Sequence, residues 1–284
     1  MKDYNKIELK GRLFSYALEE KEDTEKGTPI AGTVTLEVDE DGTQVEVRFY
    51  AYPKYNNGNP NRTYGILSDI LAGNYLTVVD NGDEAEWLSI DANISVDYYI
   101  GRDGAKDIDE MSRSQKIRGS FINQNKKHEY FNKWSCDMVV TQVEDVEENV
   151  EKGYPHKVRV HGYMLDSYNK RAMGVRFEAM DEAPMAYLLS LTPSRDNPFY
   201  TQVRGQFRKV TSLKIIEGAF GEDEKVEYEN LFWVLNWMPK NAYVFGEDLT
   251  LEEFEEFMKG LDEYKTEKFN KDKNKDDEGD DLVF

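Results

Sequence analysis

Apolar and polar side chains alternate through "IAGTVTLEV" and "TQVEVRFYAY", on either side of the turn "DEDG". Period-two alternation marks strands with one buried face. With the long run "KIELKGRLFSYALEE" ahead of them, these segments predict three consecutive strands. The period then changes. "TYGILSDILAG" puts Ile66, Leu67, Ile70 and Leu71 on one face of a helix, with Gly73 just past its end as a stop. Strand patterning resumes in "EWLSIDANISVDYYI" and "IRGSFIN". The succession then returns: "SCDMVVTQVEDV", "HKVRVHGYML" and "RAMGVRFEAM" read as strands. A short helix in "DEAPMAYLLSL" follows, started by Asp181 with Pro184 in its first turn, and then strands in "FYTQVRGQFRKV" and "ENLFWVLNW".

Three landmarks recur in the same order and point to a duplication. "EKGTP" (25–29) is answered by "EKGYP" (151–155), "VRFYA" (47–51) by "VRFEA" (175–179), and "IRGSF" (117–121) by "VRGQF" (203–207). The first two lie 22 and 24 residues apart in the two copies, the last two 70 and 28. This spacing predicts an insertion of about 42 residues in the first copy, at about 73–115.

Three strands, a helix and two strands is the element order of an OB-fold, a small Greek-key barrel, though other small barrels or sandwiches remain open. The fold expected is therefore mainly β: two tandem OB-fold-like Greek-key barrels, each with a short helix, followed by a C-terminal helix and a disordered acidic tail. The division expected is 1–133 for the first barrel with its insertion, 134–245 for the second, 246–268 for the helix and 269–284 for the tail. Thr250 and Glu253 form a capping box, and Leu251, Phe254, Phe257, Met258, Leu261 and Tyr264 share one helical face up to about Lys268. "NKDKNKDDEGDDLVF" has too few apolar residues to fold alone and reads as a tether.

Composition restricts the chemistry. "MKDYNKIELK" lacks the apolar stretch of a signal peptide, and no segment approaches the roughly 20 apolar residues of a spanning helix. With Cys136 as the single cysteine, a reducing cytoplasm is the natural compartment, a host cytoplasm for a phage protein. Cys136 lies in an apolar strand and reads as a packing thiol. No His/Cys/carboxylate spacing suggests zinc, and no Walker loop, dinucleotide glycine motif or nucleophile elbow occurs. Neither an enzyme nor a cofactor is expected. The net charge is −20; residues 247–284, with 15 acids and 6 lysines, carry −9 of it and leave −11 on the body. An acidic body repels phosphate, so any nucleic-acid site must be a local stripe of cations and aromatics.

Alternation supplies candidates for such a stripe. If Val47, Phe49 and Ala51 face inward, Arg48, Tyr50 and Tyr52 face out, and Arg176 does so in the second copy. "IRGSF" turns Arg118 outward between Ile117 and Phe121, and "VRGQFR" turns Arg204 and Arg208 outward. The loop "YPKYNNGNPNRTY" adds Lys54, Tyr55, Arg62 and Tyr64, and "NKKHEYFNKW" adds Lys126, Lys127 and Lys133. Cations for phosphates and rings for unstacked bases suit a single strand. The bland alternative is that these arginines pair with surface carboxylates.

The ending "DDEGDDLVF" resembles the C-terminal tails of bacterial and phage single-stranded DNA-binding proteins, which join an OB-fold to a flexible acidic tail ending in phenylalanine. The resemblance covers this stretch and, loosely, the barrel order. The penultimate proline of the bacterial tail is Val283 here. It implies a protein that coats single-stranded DNA during replication or recombination and recruits replication and repair proteins through Asp280, Asp281, Leu282, Val283 and Phe284. The competing expectation is a structural or adaptor protein, such as one of a virion, whose barrels bind protein.

Overall fold

Strand β1 (Asn5–Glu20) is long enough to bend and serve two neighbours, pairing through its first half with β4 (Trp87–Tyr99) and through its second with β2 (Ile30–Glu37). Strand β2 pairs with β3 (Gln44–Ala51), β3 runs parallel to β5 (Ser112–Gln124), and β5 returns to β4. The circuit β1-β2-β3-β5-β4-β1 closes a five-stranded barrel. Helix α1 (Arg62–Leu71) and the short α2 (Val78–Asn81) fill the crossover from β3 to β4. The structure, a computed structural model, describes residues 4–102, 104–216, 224–239 and 243–279.

The second half repeats the circuit. Strands β6 (Phe131–Val146), β7 (Lys157–Asp166), β8 (Arg171–Ala179), β9 (Phe199–Ile216) and β10 (Glu224–Trp237) pair in the order β6-β7-β8-β10-β9-β6, with α3 (Glu182–Leu189) between β8 and β9. The β8–β10 pair is parallel, as β3–β5 is. Both halves therefore have the OB-fold connectivity that the element order implied.

The alternation of β3 holds along its whole length, with Val45, Val47, Phe49 and Ala51 buried and Gln44, Glu46, Arg48 and Tyr50 exposed. Each large side chain so buried contributes about 1.5–3 kcal/mol. In the second barrel the core centres on Trp134, stacked on Phe177 with ring centroids 4.3 Å apart, and on Phe207 and Tyr200. Cys136 lies fully buried in this packing, and burial pushes its thiol pKa well up. Helix α1 plugs its barrel with Leu67 and Ile70; Asn61 caps it, its Oδ1 accepting from the Thr63 N–H at 3.1 Å.

The third landmark pair is not structurally equivalent. "IRGSF" lies on β5, the fifth strand of its barrel, whereas "VRGQF" lies on β9, the fourth strand of its own. The expected insertion of about 42 residues at 73–115 is thus corrected: residues 87–99 are the barrel strand β4, whose counterpart is β9. What the two motifs share is a local demand. A Cβ on Gly119 would sit 2.2 Å from the Phe49 ring, and one on Gly205 would sit 2.3 Å from the Trp134 ring. Each glycine leaves room for a large ring crossing the barrel interior.

The barrels are joined by strand pairing and by a docked hairpin. Strands β1 and β6 pair from Asn5↔Cys136 to Lys10↔Phe131, making one continuous ten-stranded sheet. The β4–β5 hairpin of the first barrel also reaches over β8 of the second. There Tyr98 Oη accepts from the Gly174 N–H at 2.9 Å, and Gln115 Oε1 accepts from the Arg176 N–H at 3.0 Å. Replacing Tyr98 with Phe leaves the buried Gly174 N–H without its acceptor, a loss of about 1–3 kcal/mol. The expected result is a lower denaturant midpoint at unchanged m-value; an unchanged midpoint would mean the hairpin docks by shape alone.

Helix α4 (Leu251–Gly279) starts at the expected capping box: Glu253 Oε2 accepts from the Thr250 N–H at 2.8 Å, and Thr250 Oγ1 from the Glu253 N–H at 3.2 Å. Phe254, Phe257, Met258 and Leu261 are buried against β8, and Tyr264 lies between Arg171 of the second barrel and Tyr98 of the first. The helix runs further than the expected end near Lys268. Phe269, assigned by sequence to the tether, is buried because it continues the stripe two turns beyond Leu261. Residues 280–284, the last of the predicted tail, lie outside the described residues. Among the described residues no helix is long and apolar enough to cross a membrane.

Candidate functional site

Arg48 and Arg118 are Cα partners across the parallel β3–β5 pair, and both side chains are exposed. Two residues along β3, Tyr50 is 52% exposed, with its ring edge-on to the half-buried Tyr52 at 5.5 Å. On β5 the expected alternation breaks. The ladder shifts between Asp91 and Ala92 so that Phe121 faces Asp91 and Gly119 faces Ala92, leaving Ser120 as an extra residue. This bulge turns Phe121 outward, where it is 52% exposed, a correction to its expected inward position. The odd spacing from Ile117 to Ile122, both buried, was the signal that a bulge must intervene.

The same bulge receives the crossover loop. Thr63 Oγ1 lies 3.5 Å from the Ser120 carbonyl, which brings Arg62 and Tyr64 of α1 to this end of β5. The loop before the helix is tied down, with Asn61 Nδ2 donating to the Tyr52 carbonyl at 2.9 Å and a bridge between Lys54 and Pro60. Lys54 and Tyr55 are exposed on it, and the Lys26 ammonium lies 5.7 Å from the Tyr52 ring centroid. Tyr50, Tyr52, Lys54, Tyr55, Arg62 and Tyr64 thus belong to one end of the first barrel's β3–β5 face.

At its other end this face runs into a groove between the barrels. A cavity of about 210 Å³ lined by Arg48, Lys116, Gln115 and Trp233 shares Ser114, Gln115, Leu231 and Trp233 with a larger one of about 770 Å³. Arg113, Lys152, Lys157, Arg159 and Arg176 line the larger cavity, with Tyr154, Phe232 and Trp233 as its rings. Across the two linings seven bases face three acids, Glu46, Glu147 and Glu178. The groove therefore inverts the charge balance of the chain, which has 36 bases against 56 acids.

Its ion pairs are of two kinds. Arg48 and Glu46 lie 3.5 Å apart and both are about half exposed, so the pair contributes little and leaves the guanidinium available. Glu178 is 4% exposed and burial raises its pKa, opposed by Arg176, Lys157 and Arg159. Lys157 is 5% exposed with its ammonium 4.2 Å from the Phe232 ring centroid, and burial lowers its pKa. Arg159 donates to Glu144 Oε2 at 3.1 Å.

Other expected residues lie elsewhere. Arg208 makes two hydrogen bonds of 2.8 Å to the Asp181 carboxylate, so this arginine is held by a carboxylate instead of standing free. Asp181 holds the N-cap position of α3 but makes no cap bond, because its oxygens go to Arg208. Arg204 stacks over Trp237 at 4.1 Å and, with Lys133 and Phe131, lines a separate cavity of about 310 Å³ that shares no residue with the groove. Lys126 and Lys127 are exposed on the β5–β6 turn and line neither cavity. Arg118 also lines a cavity of about 420 Å³ beside Asp97, Arg171 and Tyr264.

Sequence reasoning missed Arg113, Lys116, Lys152, Tyr154, Lys157, Arg159, Phe232 and Trp233. One signal was present: Lys157, Arg159 and His161 alternate with Val158 and Val160 on β7, a stripe of basic residues on one strand face.

Fold and groove together define a tandem OB-fold chain with a cation- and ring-lined seam. The chain belongs to the YorF family, whose model matches residues 3–233. No curated protein matches it. Among solved structures it is similar to the wild-type single-stranded DNA binding protein from Thermus aquaticus, with a TM-score of 0.47 and 13% identity over 86% of this chain and 98% of that one. A deletion mutant of the same protein gives a TM-score of 0.43, also at 13% identity, over 84% and 98%.

Proposed function

We propose that this protein binds single-stranded DNA along a path from the 52–61 loop, over Tyr50, Phe121, Arg48 and Arg118, into the groove between the barrels. The observation that carries the reading is the continuity of that path: the cavity at Arg48 and the cavity at Arg176 share lining residues, and cations outnumber acids in both. Guanidinium and ammonium groups neutralise phosphates, and exposed rings stack on bases for about 1–3 kcal/mol each. The binding is stoichiometric and involves no chemical step. Expected is affinity for oligo-dT that falls with salt, with a log–log slope of about −0.7 for each phosphate neutralised. No binding at low salt would favour an adaptor whose barrels bind protein.

The role proposed is coating of unwound strand during phage DNA replication or recombination, with partner proteins recruited by the terminal segment. Phe284 fits a small apolar pocket on a partner while Asp280 and Asp281 meet its basic rim. Removing residues 280–284 is expected to leave affinity for DNA equal or higher and to abolish recruitment of replication proteins in a pull-down. Weaker DNA binding after truncation would contradict this role for the tail.

A further inference from the structure

The two barrels differ where the strand would cross them. By the duplicated landmark, the position of exposed Tyr50 in the first barrel is taken by Glu178 in the second, a carboxylate only 4% exposed in a groove where cations outnumber acids. Among the described residues no hydrogen bond reaches the Glu178 side chain. Its nearest cations, Arg176 Nε at 3.4 Å and Arg159 Nε at 3.8 Å, both approach Oε1. Two donors beside it are also unused: Gln115 Nε2 and Arg159 Nε are buried without a hydrogen-bond partner. Buried polar atoms left unpaired are costly, and two such donors on residues lining the cavity, with a carboxylate that makes only loose ion pairs, suggest a ligand that completes them.

The cavity, at about 770 Å³, is large enough for a nucleotide. Tyr154, fixed by a 2.5 Å hydrogen bond between its hydroxyl and that of Tyr228, and Trp233 offer ring faces. Arg113, Lys152 and Arg176 are exposed where a phosphate would pass. A carboxylate that accepts no hydrogen bond, and whose ion pairs fall on Oε1 alone, selects among bases by chemistry. Guanine presents two adjacent N–H donors, N1–H and the N2 amino group, to both oxygens. Adenine and cytosine set a ring-nitrogen acceptor beside their amino group, and thymine flanks its one N–H with two carbonyls, so each brings a lone pair against the carboxylate. The O6 of guanine then lies toward donors such as Gln115 Nε2 and Arg159 Nε.

Resting on the DNA-binding reading above, we propose that the seam cavity takes one base of the bound strand and prefers guanine through Glu178, with Gln115 and Arg159 as its donors. The test uses the full chain and fluorescent oligo-dT carrying dG, deoxyinosine, dA, dC or dT at its centre, with affinities read by anisotropy. A single dG is expected to raise affinity roughly tenfold or more over dT, as good two-point base contacts do. Deoxyinosine, which lacks the N2 amino group, should lose most of that gain. In Glu178→Gln, with folding checked by circular dichroism, the dG-to-dT ratio should fall toward one. Equal affinity for all five oligonucleotides would overturn the inference while leaving DNA binding intact. Inosine binding as tightly as dG, or an unchanged ratio in the variant, would also overturn it. Failure to bind any of the five would instead overturn the DNA-binding reading itself.

Discussion

Replacing Arg48, Arg118 and Arg176 together with alanine is expected to lower affinity for oligo-dT by about two to three orders of magnitude. All three side chains are exposed. Arg48 is only loosely paired with Glu46 at 3.5 Å, and Arg176 with Glu178 at 3.4 Å, so each guanidinium has donors to spare for phosphate. A charge-assisted contact to phosphate contributes about 1 kcal/mol net or somewhat more, and three of them about 3–4 kcal/mol. The salt dependence supplies a second readout. Loss of three phosphate contacts should reduce the log–log slope by about 2. Arg208→Ala is the matched control, because that guanidinium is held by Asp181 through two 2.8 Å hydrogen bonds. Its affinity should stay close to that of the parent. If the control weakened binding as much as the triple variant, the effect would be one of bulk charge and the path described here would be wrong.

A large loss of stability is expected from Gly205→Ala. The added Cβ would lie 2.0 Å from the Val234 carbonyl oxygen and 2.3 Å from the Trp134 ring. Trp134 is fully buried against Phe177 and Trp233, so the ring has nowhere to swing, and the carbonyl belongs to the neighbouring strand β10. Overpacking commonly costs about 1–3 kcal/mol when side chains can yield. Here backbone must move, so a loss of at least ~3 kcal/mol is expected, which for a chain of this size lowers Tm by roughly 6–12 °C. Gly119→Ala should cost less, since the three atoms nearest its Cβ all belong to the Phe49 side chain and none to backbone. An unchanged Tm for Gly205→Ala would mean the second barrel packs more loosely than described.

These two predictions draw on different parts of what the sequence disclosed. Alternation revealed the strands, because each barrel strand has one buried face, and so Arg48, Arg118 and Arg176 were correctly turned outward. It failed where one residue is inserted: the bulge at Ser120 exposes Phe121 against the simple period. The "RG" landmarks were legible as a repeat yet sit on non-equivalent strands, because they answer a need for space beneath a ring, which recurs wherever a barrel interior is crowded. Arg208 gave no sign in the sequence of its partner Asp181, 27 residues away on another element. The groove itself was invisible for the same reason. It is assembled from β5 of one barrel and β7, β8 and β10 of the other, and only the docking of the β4–β5 hairpin on Gly174 and Arg176 brings those strands together. The helix that bridges the barrels was foreseen from its capping box and apolar stripe. Its extension past Lys268 was not, because Phe269 was assigned to the tether although it continues the apolar stripe.

Photo-crosslinking of an oligonucleotide containing 5-bromodeoxyuridine, followed by peptide mapping, tests the central claim most directly. A strand that follows the β3–β5 face into the seam should leave adducts on Tyr50, Phe121 and Tyr154. Adducts confined to Phe131 and Trp237, beside Arg204 and Lys133, would place the strand on that separate patch and contradict the account.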